Sequence, residues 1–134
     1  MVTMDEVAEM AGALPGVTVG ERHGHLTWFV GKKAFAWDRP LTKADIRRYG
    51  DETPPDGAIV AITTEDLEEK AAILAARHRG FFDMEHFHGY PAYLVQLRVA
   101  APGVLREALV DGWLAVAPPA LAEEYLATER DRRR

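Results

Sequence analysis

The run Ala92-Tyr93-Leu94-Val95-Gln96-Leu97-Arg98-Val99 constrains this chain more than any other stretch. Its residues are mostly aromatic, aliphatic or β-branched. The two-residue period of a strand puts Tyr93, Val95, Leu97 and Val99 on one face and Leu94, Gln96 and Arg98 on the other. A strand that is apolar on one side and mixed on the other suits a sheet that helices cover on one face.

Other strands are read at Val17-Thr18-Val19, at Leu26 to Val30 with Leu26, Trp28 and Val30 on a common face, at Ala34 to Trp37 and at Ala58 to Ile62. His23-Gly24-His25 and Gly31-Lys32-Lys33 read as hairpin turns between the first three. Thr3 and Glu6 form a capping-box pair ahead of a helix whose apolar side is Val7, Met10, Ala11 and Leu14. Thr42 and Asp45 cap a short helix through Tyr49, and Asp51 to Gly57 is an acidic surface loop.

Thr63 or Thr64 starts a helix with Leu67, Ala71, Leu74 and Ala75 on its apolar side, Arg77 and Arg79 in its last turn and Gly80 at its end. Pro102 opens another, with Leu105, Ala108, Leu109 and Trp113 as its buried stripe. Pro118-Pro119 breaks it before a last helix through Leu121, Tyr125 and Leu126. The order predicts an α+β fold of two layers, a mainly antiparallel sheet with helices packed on it. The length of 134 residues suits one domain, residues 1–129, followed by a charged tail at 130–134.

Composition matters mainly for what it excludes. The chain has no cysteine, serine or asparagine, which removes disulfides, thiolate chemistry, serine hydrolysis and glycosylation sequons together. No apolar run approaches the roughly 20 residues of a membrane span, and no basic, then apolar leader opens the sequence, so a cytoplasmic protein with no membrane partner is expected. Gly31-Lys32 lacks the flanking residues of a phosphate-cradling loop. No catalytic residue, cofactor or metal ligand is assigned.

Net charge is −5, but the charges are segregated. Arg22, Lys32, Lys33, Arg39, Lys43, Arg47 and Arg48 outnumber Glu21, Asp38 and Asp45, whereas Asp51 to Glu69 holds acids and no base. Two His-x-His pairs, His23/His25 and His86/His88, have the spacing of a strand chelate, and Asp83 or Glu85 stands near the second. The more economical reading is solvated turn histidines. Trp37, at a strand end beside Asp38 and Arg39, is the aromatic best placed for partial exposure, whereas alternation buries Trp28.

Several short segments carry a resemblance: Ala13-Leu14-Pro15-Gly16-Val17, the run Trp28-Phe29-Val30-Gly31-Lys32-Lys33-Ala34-Phe35-Ala36-Trp37-Asp38-Arg39-Pro40, His86-Phe87-His88-Gly89-Tyr90-Pro91-Ala92, and Ala108-Leu109-Val110-Asp111-Gly112-Trp113-Leu114. In order and spacing the chain resembles the MmcQ/YjbR-like proteins. The resemblance implies a compact α+β domain akin to secretion-chaperone-like folds, and DNA binding through a double wing. On that expectation Lys32, Lys33, Arg39, Lys43, Arg47 and Arg48 contact phosphates, with little base reading, because Gln96 is the sole glutamine and asparagine is absent. The alternative is a module that binds a protein or small ligand on the exposed sheet face, and a histidine metal or acid/base site is the third.

Overall fold

The computed structural model describes residues 1–132. Six strands form a single sheet: β1 (Val17–Arg22), β2 (His25–Val30), β3 (Lys33–Asp38), β4 (Ile59–Thr63), β5 (Phe81–Phe82) and β6 (Ala92–Gln96). Their spatial order is β1-β2-β3-β4-β6-β5, and every neighbouring pair is antiparallel. The helices are α1 (Met4–Gly12), α2 (Lys43–Arg48), α3 (Leu67–Ala75), α4 (Pro102–Val116) and α5 (Pro119–Arg132). This is the α+β arrangement that the alternation predicts.

Local chemistry accounts for most element ends. Thr3 and Glu6 close a capping box on α1, and Thr42 and Asp45 do the same on α2. His23 and Gly24 both take positive φ, 54° and 79°, which makes the β1–β2 connection a two-residue hairpin turn of matching twist. Pro102 opens α4, whose Leu105, Ala108, Leu109 and Trp113 are all buried, as their spacing predicts. At Gly112 the helix meets the sheet so closely that a Cβ would lie 2.7 Å from Ile62 Cγ2 and 3.3 Å from the Thr63 carbonyl oxygen. Any larger residue there pushes helix and sheet apart.

The main core lies between the sheet and α1 and α4, with Trp28, Phe35, Tyr93, Val95 and Leu97 facing the helices. The predicted facing of Tyr93, Val95 and Leu97 holds, although β6 ends at Gln96 instead of Val99. Leu26 shares the Trp28 face but is exposed, because it lies beyond the helical cover together with its neighbour Val19.

The opposite face is not simply open. Leu94, Ile59, Ala61 and Ala92 pack there against Met84 and Phe87, with Trp37, Leu41 and Phe82 at the margin. The cover is the segment after β5, which forms a 3₁₀ turn at Glu85–Phe87. His86 and His88 therefore sit on and just beyond that turn, outside any strand, and the strand geometry of a chelating pair does not arise.

Several expectations fail. Thr63 ends β4, and α3 starts at Leu67 behind an Asp66 cap instead of at Thr63 or Thr64. α3 ends at Ala75, with Arg77 in the left-handed conformation, φ 54°, so Gly80 and the two arginines lie past the helix. α3 also buries a different side: Leu67, Ala71 and Ala75 are exposed, whereas Ile73 and Leu74 are half-buried and Lys70 is buried. Helical structure continues to Arg132, so residues 130–132 of the expected tail belong to α5, and residues 133–134 lie outside the described residues. No helix among the described residues is long and apolar enough to cross a membrane.

Candidate functional site

The uncovered half of the second sheet face is formed by β1, β2 and β3. Alternation and register put Thr18 beside Phe29, Gly20 beside Thr27 and Arg22 beside His25 on it. Glu21 pairs with Leu26 on the helical side. A β-bulge between β2 and β3 decides what β3 contributes. Trp28 pairs with Ala36 and Phe29 with Ala34, which leaves Phe35 as the extra residue. Phe35 and Ala36 both enter the helical core, and the strand emerges with Trp37 paired to Thr27 on the uncovered face. Arg39, two residues on, follows Trp37 to that side, and its N–H donates to the Ile59 carbonyl at 2.9 Å.

A concavity of about 310 Å³ opens where the cover stops. Arg22, His23 and His25 form one wall and Trp37, Arg39 and Thr42 another, with Tyr90 at the rim and Thr27 and Ala34 beneath. None of the residues lining it is acidic. Tyr90 is 50% exposed, and its ring meets Phe87 edge-on at 5.6 Å.

Arg39 is held rigidly. Its guanidinium lies 3.1 Å from Asp45 Oδ2, donates to the Pro40 carbonyl and sits 5.6 Å over the Phe87 ring. Asp45 is itself fixed at the start of α2. The Thr42 N–H donates to Asp45 Oδ2 at 2.9 Å, the Asp45 N–H donates to Thr42 Oγ1 at 3.1 Å, and Arg48 donates to Asp45 Oδ1 at 3.1 Å. Burial opposes the Asp45 charge, but the Thr42 N–H and hydroxyl and the Arg39 guanidinium outweigh it and hold the carboxyl below its ordinary value.

Tyr90 is positioned from the far side by a buried lysine. Lys70 on α3 is only 5% exposed, and its ammonium donates to the carbonyls of Phe87 at 2.7 Å and Tyr90 at 2.9 Å. It also lies 3.0 Å from Asp83 Oδ1. Two carbonyls thus accept from one cation, the Asp83 carboxylate pairs with it, and together they tie the segment from Asp83 to Tyr90 to α3.

The six residues expected to contact phosphates are dispersed. Lys32 and Lys33 lie at the β2–β3 turn, whereas Arg39, Lys43, Arg47 and Arg48 lie beyond the other end of β3, about 17 Å away by strand rise. Lys32, Lys33, Lys43 and Arg47 are exposed, Arg39 is committed to Asp45, and Arg48 is shared between Asp45 and Glu85 at 3.9 Å. Arg39 alone of the six lines the concavity. Gln96 is engaged as well, its amide donating to the Asp56 side chain at 2.8 Å. Among the described residues no group of three or more His, Asp or Glu is arranged to hold a metal ion. The sequence signal for Arg22 and His25 as site residues is their cross-strand pairing through the His23-Gly24 turn, which places both on one face.

A two-layer α+β domain with a basic, aromatic-rimmed hollow on its half-covered sheet face is the class of protein that these features define. The chain is 40% identical over 130 residues to Uncharacterized protein Rv2570 of Mycobacterium tuberculosis strain H37Rv, a span covering 95% of this chain and 98% of that protein. It is equally similar, over the same shares, to Uncharacterized protein Mb2600 of Mycobacterium bovis. The chain belongs to the family of these mycobacterial proteins. No family model and no solved structure matches it.

Proposed function

We propose that this chain is an MmcQ/YjbR-like domain that binds nucleic acid as a single strand, led by phosphate contacts, in the hollow on its half-covered sheet face. The observation that carries the reading is the meeting of Arg22, His23 and His25, and of Arg39 already paired with Asp45, with Trp37 and Tyr90 around one concavity whose lining residues include no acid. Cationic groups track a phosphate backbone, and partly exposed aromatic rings offer faces on which unpaired bases stack. Duplex bases are already stacked and do not reach such rings. The hydrogen-bonding repertoire fits binding with little sequence preference, because the sole glutamine is tied to Asp56. The size of the hollow, about 310 Å³, also suits a lone nucleotide or similar aromatic anion, which is the second reading.

Fluorescence anisotropy of a labelled oligonucleotide at several salt concentrations tests this. Single-stranded DNA should bind more tightly than the duplex, and log affinity should fall linearly with log salt by about 0.7 per phosphate neutralised. Arg22→Ala should lower the slope by about 0.7, and Tyr90→Ala should cost about 1–3 kcal/mol of affinity. Lys32→Ala with Lys33→Ala should lower a tetranucleotide's affinity less than Arg22→Ala, since neither lysine lines the hollow. Absence of binding at low salt would overturn the reading. Preference for duplex, lost with the two lysines, would move the interface to the β2–β3 turn. Full competition by nucleoside monophosphate at equal affinity would favour the small-ligand reading.

A further inference from the structure

We propose that the cleft between α3 and α4, floored by Tyr93, binds a small organic cation, a protonated alkylamine. It has a volume of about 410 Å³ and lies on the opposite side of the sheet from the basic hollow. Glu69 of α3 and Glu107 and Asp111 of α4 line it, together with Ile73 and Val104, and no lysine or arginine does. The one basic residue of α3, Lys70, has its ammonium bound to Phe87, Tyr90 and Asp83.

Two buried polar atoms at this cleft have no partner. Tyr93 is 0% exposed and its hydroxyl makes no hydrogen bond, and Glu69 Oε1 is equally enclosed and unpaired. Buried phenols and carboxylates ordinarily find a partner, so each marks a place where one is missing. The electrostatics point the same way. Burial, and then the charges of Asp111 and Glu69, push the Tyr93 phenol well above its ordinary value. Burial also raises Glu69, where the nearby Asp111 adds to it against a hydrogen bond from the Glu65 backbone, and it raises Asp111, where Glu107 adds to it. Apart from His78, no basic side chain among the lining residues offsets these acids.

The walls select the kind of cation. Ala72, Ile73, Val104 and Ala108 are apolar and suit an alkyl stem, while the three carboxylates and the phenol oxygen among the lining groups can accept from an ammonium's three donors.

The test is a titration of the full chain with n-butylammonium chloride, followed by the amide resonances of a nitrogen-15-labelled sample. Sodium chloride and 1-butanol serve as charge-only and stem-only controls. Saturable shifts centred on Glu69, Tyr93 and Asp111 are expected with the amine alone, and Glu69→Gln should weaken binding at least tenfold. Tyr93→Phe should weaken binding too, yet leave the melting temperature unchanged or raised, because the hydroxyl it removes is unpartnered in the free protein. Equal shifts with 1-butanol or sodium chloride would overturn the proposal. So would undiminished affinity in Glu69→Gln, or a melting temperature lowered in Tyr93→Phe, which would reveal a structural hydrogen bond at that hydroxyl.

Discussion

Lys70→Ala should lower stability by about 3–5 kcal/mol, because removing one partner of a buried ion pair strands the groups left behind. Here the stranded groups are the carbonyls of Phe87 and Tyr90 and the carboxylate of Asp83. Urea denaturation followed by far-ultraviolet circular dichroism measures the loss. Lys70→Met, which keeps the volume of the stem, should be nearly as damaging, since charge and hydrogen bonds are what the site needs. The effect reaches the proposed interface. Without the ammonium, the segment carrying Tyr90 is no longer tied to α3, so oligonucleotide affinity should drop even where the variant remains folded. A near-native denaturation midpoint in both variants would show that the segment is held by Phe87 and Met84 packing alone.

Leu97→Ala should cost about 2–5 kcal/mol through lost transfer energy and the cavity left behind. Leu97 is buried among the helix-facing residues, and its backbone ties two distant segments: its N–H donates to the Ala58 carbonyl at 3.0 Å and its carbonyl accepts from the Val2 N–H at 3.4 Å. The backbone bonds survive the substitution, so the loss measures side-chain packing. An unchanged midpoint would mean that Leu97 does not face the core, and that the register of β6 against β4 is displaced by one residue.

How far the sequence reveals the fold can be judged from particular residues. The stripe of α4 is legible because Leu105, Ala108, Leu109 and Trp113 fit one helical face and no competing set does. The turn at His23-Gly24 and the capping boxes at Thr3 and Thr42 are legible because each depends on residues within four positions of one another. The buried side of α3 is not. Leu67, Ala71, Leu74 and Ala75 make the more apolar stripe in sequence, yet all but Leu74 are exposed, and the side that is buried, Lys70 with Ile73 and Leu74, contains a lysine. Its burial depends on carbonyls 17 and 20 residues further on, whose positions no local pattern specifies.

The candidate site was partly visible for the same reasons. Trp37 and the basic character of the region stand out in the sequence, and the sheet face is one of the surfaces that the fold class suggests. The bulge at Phe35 is what turns Trp37 away from the helical core, and a single extra residue in a strand leaves no compositional mark. The charge run groups seven basic residues by position along the chain, and the six expected on phosphates leave out Arg22, whereas β3 separates Lys32 and Lys33 from Arg39, Lys43, Arg47 and Arg48. Pairing through the β1–β2 turn instead brings Arg22 and His25 into play.

Tryptophan fluorescence during titration with a tetranucleotide tests the proposed interface most directly. Trp28 and Trp113 are buried on the helical side, and Trp37 alone of the three lines the hollow. Saturable quenching is predicted in the parent protein, with the affinity found by anisotropy, and Trp37→Phe should abolish the quenching while remaining folded. Binding without quenching, or equal quenching in the parent and in Trp37→Phe, would contradict a stacking interface on the half-covered sheet face.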